Sequence, residues 1–342
     1  MSGRSSEQPG LFGDVEQRPK AAPRIKPVPA DAELIRVKAQ LPPDIRFGTS
    51  SWSFPGWGDL VWKPGSRAPS AAKLSREGLS AYASHPLFGA VGLDRTYYAP
   101  IDSKQFRAYA AQTPETFRFI VKADRRLVSP YLPPGAGCRP SAPLLWDHVH
   151  AEREVVIPAV SGLADRLGAI VFQFPPLGPA WISRAGGPGA FADRLHDFLS
   201  SLPVGPEYAV EIRDRDLLTQ AYASALRDSG ASHCFAVHPS MPDLTMQSSA
   251  IERQSQRITL VRWMLNPRAG LSHDDAKSRY EPFNRLVDED TPSRRAIIDL
   301  LRTSGSTPGY IIVNNKAEGS APLSIRRLAA ELVRAEQPSV HW

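Results

Sequence analysis

Ionisable and amide side chains recur where short apolar runs of this sequence end, and their types point to the handling of anions. Lys122 lies near the end of FRFIVKAD, Glu211 and Arg213 near the end of YAVEIRD, and Arg262 within ITLVRWML. An ammonium and two planar guanidiniums suit phosphate or carboxylate. Side chains alternate along an extended strand, so Glu211 and Arg213 share one face while Val210 and Ile212 take the other. Opposite charges on a buried strand need a common polar space. On this reading Glu211 is a general acid or base, tuned by Arg213 and Lys122. Trp52, Asp94, Tyr97, Gln173, His238, Arg262, Asn314, Asn315 and Lys316 stand at or just beyond the ends of the same kind of run, and are expected to bind substrate. The competing explanation is that Glu211, Arg213, Lys122 and Arg262 only neutralise one another. Charges are rarely buried without need, which favours function.

Other chemistries fit less well. Asp94, Glu211 and His238 offer an O,O,N ligand set, but no H-x-H, H-E-x-x-H or cysteine cluster supports it, so no metal and no cofactor are expected. No G-x-S-x-G elbow is present for a serine hydrolase. The segment AEGSAPLSIRRL places Gly319, Ser320 and Pro322 at a helix start, where free backbone N–H groups could hold phosphate together with Arg262. Trp52, Phe54, Trp57 and Trp62 cluster in one stretch. They read as core, except Trp52, which is placed as a pocket wall.

The elements that must carry these residues are eight apolar runs: 45–52, 90–98, 117–124, 169–175, 208–214, 233–239, 258–265 and 310–316. Near-continuous apolar character is the mark of parallel strands buried on both faces. Amphipathic stretches at 71–84, 103–112, 150–167, 188–201, 215–229, 293–303 and 322–335 alternate with them, Asp102 or Ser103 capping the second. The links 240–257 and 266–292 carry no clear helix. Eight strands, at least seven helices and no G-x-G-x-x-G turn predict an α/β fold, a single (β/α)₈ TIM-type barrel. Residues 1–44, rich in Pro, Gly, Gln and charge, are expected to be a disordered tail, and 45–342 the barrel.

The whole chain fits that frame. It has 342 residues, 42% hydrophobic and 22% charged, enough for one core. Its formal net charge is +6 and its pI about 9.4, compatible with a phosphorylated ligand or nucleic acid and selecting neither. Two cysteines, Cys138 and Cys234, cannot make a disulfide scaffold. With no long apolar run and no secretory signal, a cytoplasmic location and no membrane contact are expected. Near the start, EQPGLFGD sets Gln8 three residues before Leu11 and Phe12, a spacing like that of bacterial sliding-clamp peptides, so the clamp is a candidate partner.

Taken in order, GTSSWSFPGW, FRFIVKA, FQFPP, VEIRD, VRWM and VNNKAEGSAP resemble the motifs of the domain-of-unknown-function 72 proteins, also called YecE-like. The resemblance runs from about residue 45 to 335. It implies a TIM-type barrel with its site at the strand ends, and brings no reaction with it. This chain departs from the commoner pattern at Gly92, Asp94, Val313 and the stretch Arg262 to Leu265, as a divergent branch would. Three functions remain open at this point. The first is an enzyme acting on a phosphate-bearing or nucleic-acid substrate. The second is a non-catalytic binding protein using the same basic pocket. The third is a metal-dependent, nuclease-like barrel.

Overall fold

The structure, a computed structural model, describes residues 25–65, 68–131 and 144–336. Eight parallel strands close into a barrel in sequential order: β1 (Ile45–Thr49), β2 (Phe88–Leu93), β3 (Arg118–Lys122), β4 (Leu167–Gln173), β5 (Tyr208–Glu211), β6 (Ser232–Val237), β7 (Thr259–Trp263) and β8 (Gly309–Val313). Closure is completed by β8 pairing with β1, Ile45 opposite Gly309 through Thr49 opposite Val313. A closed sheet has no free edge, which is why eight short runs suffice.

Alternation sorts each strand into two cores. Phe119, Val121, Phe172, Val210, Val261 and Val313 face the helices. Ala90, Ile120, Val171, Ala209, Leu260 and Ile312 fill the barrel axis. One step further toward the C-terminal end, the inward phase reaches Asp94, Lys122, Gln173, Glu211, Arg262 and Asn314. The apolar plug beneath them is therefore the floor of a polar mouth.

The helices follow where the pattern placed them, with Asp102 accepting from the Gln105 N–H at the start of Ser103–Ala110. Two more occupy the links that carried no clear pattern: Leu244–Ala250, capped by Asp243, and His273–Tyr280, capped by Ser272. Both are short and polar, so the side-chain caps are more informative than periodicity there.

The expected tail is ordered over part of its length. Ala32–Gln40 is a helix capped by Asp31, and its Leu34 and Val37 are buried. Arg326 on the final helix, Ala321–Glu336, pairs with both Asp31 and Glu33. Upstream, Ile25 is buried, and the Val28 N–H donates to the Val61 carbonyl at 3.1 Å. The boundary expected at residue 44 thus does not separate tail from fold. Gln8, Leu11, Phe12 and Cys138 lie outside the described residues. Among the described residues no helix is long and apolar enough to cross a membrane.

Candidate functional site

At the mouth, three adjacent strands present their last inward residues in register. Lys122 ends β3, and on β4 its partner Val171 is followed two residues on by Gln173, which pairs with Glu211 of β5. Arg262 enters from β7. Glu211 is fully buried and joins the cluster. Its Oε1 accepts from the Arg213 Nε at 2.7 Å and pairs with Arg213 Nη2, while its Oε2 accepts from the Arg262 Nη1 at 2.5 Å. The Arg262 Nη2 donates to Asp94 Oδ1 at 2.7 Å. Below, the thiol of Cys234 points at Glu211 Oε2 from 3.9 Å.

These contacts fix protonation. Burial alone would raise the Glu211 carboxyl, but Arg213, Arg262 and Lys122 outweigh it and hold it at about 2. Burial opposes the charge of Arg262 too, and Asp94 and Glu211 overcome it and raise its pKa. Lys122 goes the other way. It is only 8% exposed, and burial brings its ammonium down to about 8; Asp94 and Glu211 resist that, Arg262 and Arg213 add to it. Among the described residues the Lys122 ammonium makes no ion pair or hydrogen bond; its Nζ rests 3.7 Å from the centre of the Tyr97 ring. The side-chain amide of Gln173, a residue also 8% exposed, makes no hydrogen bond among the described residues.

The neighbouring groups complete the rim. Burial pushes the Tyr97 hydroxyl up to about 12, so it stays protonated. His238 is held at about 3 by burial, with Arg213 and His273 adding to it; its Nδ1 shares a hydrogen bond with Ser240 Oγ at 2.9 Å. Its ring stacks on His273 with centroids 5.7 Å apart. Asn314 donates to Ser50 Oγ at 2.9 Å and accepts from the Lys316 N–H. Lys316 is half-buried, and burial lowers its pKa. Beside Asn314 and Lys316 opens a cavity of about 510 Å³, walled by Phe54, Pro55, Pro282 and Phe283.

Two expected site residues have their side chains engaged within the fold. Trp52 is 3% exposed, packs edge-on against Tyr109 and donates its indole N–H to the Leu74 carbonyl, so it is core and not a pocket wall. Asn315 follows the end of β8, and its side chain turns away from the axis. Its Oδ1 accepts from the Trp57 indole at 3.1 Å and from the Ala321 N–H at 2.9 Å. That bond caps the final helix internally, and Gly319, Ser320 and Ala321 are all buried. Gly319 has φ +113°, and a Cβ there would sit 2.6 Å from the Arg285 carbonyl oxygen. The helix start expected to receive phosphate is closed to it. The ligand trio of Asp94, Glu211 and His238 does not form either: no set of three His, Cys, Asp or Glu side chains among the described residues could hold a metal ion. Both Glu211 oxygens are already taken by guanidiniums.

The sequence pattern of the family described as "Protein of unknown function DUF72" matches residues 46–341. This chain belongs to the DUF72 family. A DUF72 family protein of Enterococcus faecalis V583 has a crystal structure similar to it, with a TM-score of 0.54 and 16% identity, covering 86% of this chain and 97% of that one. Another from Thermotoga maritima MSB8 gives a TM-score of 0.56 and 18% identity, covering 84% and 98%. At such identities the likeness concerns the fold. No curated protein matches. In this DUF72 barrel, sequence reasoning missed His273, which sits in a link without apolar periodicity. It also missed the buried group behind the β8 loop, where Arg294 pairs with Glu289, Glu318 and Glu331. The acidic run Asp288, Glu289 and Asp290 just before the helix Thr291–Arg302 is the local sequence signal for that group.

Proposed function

We propose that the barrel mouth binds a small organic anion carrying phosphate or carboxylate, and that Lys122 is the proton-transfer group of the site. The observation that carries this reading is the charge balance around Lys122. Arg213 and Arg262 are paired with Glu211 and Asp94, which leaves the buried Lys122 ammonium with no carboxylate in direct contact among the described residues. A buried unpaired cation is costly, and a bound anion removes that cost. Lys316 adds further positive charge at the rim. Donors without a partner among the described residues include the Lys122 ammonium, the Gln173 amide and the remaining N–H groups of Arg213.

The reading moves the acid–base role from Glu211 to Lys122. A carboxyl held at about 2 with both oxygens engaged orients the guanidiniums and carries no proton near neutrality. A lysine at about 8 exchanges its proton there. Calorimetric titration with inorganic phosphate tests the reading. Saturable binding by wild type, weakened at least about tenfold in Lys122→Gln, loses about 1.4 kcal/mol or more and is the expected result. Equal affinity in the two proteins contradicts it.

A further inference from the structure

We infer that Lys122 is a covalent amine nucleophile that forms an imine with a small carbonyl compound carrying an anionic group. The inference rests on the anion-binding reading above and adds a bond-forming step to it. Lys122 stands on the inward face of β3, at the top of the apolar plug, and no carboxylate or carbonyl among the described residues occupies its Nζ. A lysine is made nucleophilic by desolvation and by neighbouring cations, and both are present here. Burial and the guanidiniums of Arg213 and Arg262 leave a substantial fraction of the amine neutral near pH 8. On the adjoining strand the Gln173 amide makes no hydrogen bond among the described residues, although the residue is 92% buried by its 8% exposure. It is a donor available to a carbonyl oxygen. The Tyr97 hydroxyl, kept protonated by burial, is a second.

The step balances without a further reagent. The lone pair of the neutral amine attacks the carbonyl carbon, forming a C–N bond, and the C=O π electrons pass to oxygen, which takes up a proton. The nitrogen then gives up both its protons, one balancing that taken up by oxygen and one joining the hydroxyl, which departs as water and leaves C=N. The net change is amine plus carbonyl giving imine plus water, and the product nitrogen can hold one proton from solvent. The anionic group of the compound would rest on Arg213 while its carbonyl faces Lys122.

The experiment is reductive trapping. The full chain is incubated with sodium cyanoborohydride and either pyruvate or dihydroxyacetone phosphate, then read by intact mass and peptide mapping. The expected result is one reduced adduct per chain, located on Lys122 in wild type, suppressed by excess inorganic phosphate and absent from Lys122→Gln. Mapping in wild type keeps the test valid even if the variant does not fold. Which of the two probes labels at lower concentration separates a carboxylate from a phosphate ligand. The yield is expected to rise from pH 7 to 9 as Lys122 deprotonates. The groups set against it are Asp94 after β2, Tyr97 in the turn beyond, Glu211 and Arg213 at the end of β5, and Arg262 on β7. Adducts scattered over surface lysines, or none at Lys122, overturn the inference. If phosphate still raises the thermal midpoint in those samples, the imine alone fails and anion binding stands. If phosphate neither stabilises nor competes, the anion reading fails as well. Equal labelling of Lys122 by neutral propanal overturns the requirement for an anionic group.

Discussion

Burying the Lys122 ammonium at the mouth weakens the fold. Its pKa falls from 10.5 to about 8, which corresponds to about 3 kcal/mol of stability forgone at neutral pH. Between those values the unfolded chain binds the proton that the folded one has released, so stability rises with pH across that window. Lys122→Met should therefore stabilise the protein by about 2–3 kcal/mol at pH 7. That gain should shrink between pH 8 and 10.5 in urea denaturation; a variant less stable than wild type at pH 7 contradicts this. Glu211 is the opposite case. Its carboxylate is favoured in the fold, so its contribution is complete above about pH 4.5 and is lost as pH falls toward 2. Glu211→Gln leaves Arg213 and Arg262 short of a buried partner and should cost about 3–5 kcal/mol at pH 7. The acid side of its stability profile should also be shallower than that of wild type.

At the scale of elements, alternation explains which site residues could be read from sequence. Within a strand the period of two carries side chains inward with certainty, and Lys122, Gln173, Glu211 and Arg262 all obey it. The rule ends where the strand ends. β8 stops at Val313, so Asn314 keeps the inward phase while Asn315 enters a 3₁₀ turn and caps the final helix. Trp52 likewise lies beyond Thr49, the last residue of β1. Asn315→Ala would strand two donors, the Trp57 indole and the Ala321 N–H, for a loss of about 2–4 kcal/mol. Phosphate affinity should remain at the wild-type value, and a fall in affinity without a fall in thermal midpoint would return Asn315 to the site. The helix Ala32–Gln40 was hidden for another reason: only Leu34 and Val37 of its nine residues are buried, within a Pro-rich stretch. Leu34→Ala should lower stability by about 2 kcal/mol, as for a partly accessible core position. No change in the denaturation midpoint would mean that this helix does not contribute to the fold.

For the whole molecule, fold class was the most legible property, because eight buried parallel strands write eight apolar runs into the chain whatever the reaction. The β8 loop shows the limit of that reasoning. Barrels often bind phosphate at a helix start after the last strands. Here Glu318 bonds the Asp290 N–H at 2.6 Å and pairs with Arg294, and these contacts, with Asn315, bury the loop. Partners this far apart in sequence leave no local pattern to read. On the proposed reading the positive charge that matters is the group at the mouth, and the overall charge of +6 says little about where a ligand sits. The most direct measurement is an anomalous difference map from crystals soaked in tungstate. The account predicts a peak within hydrogen-bonding distance of Lys122 Nζ and the Arg213 guanidinium. A mouth with no peak, while tungstate binds at the start of the final helix, would contradict it.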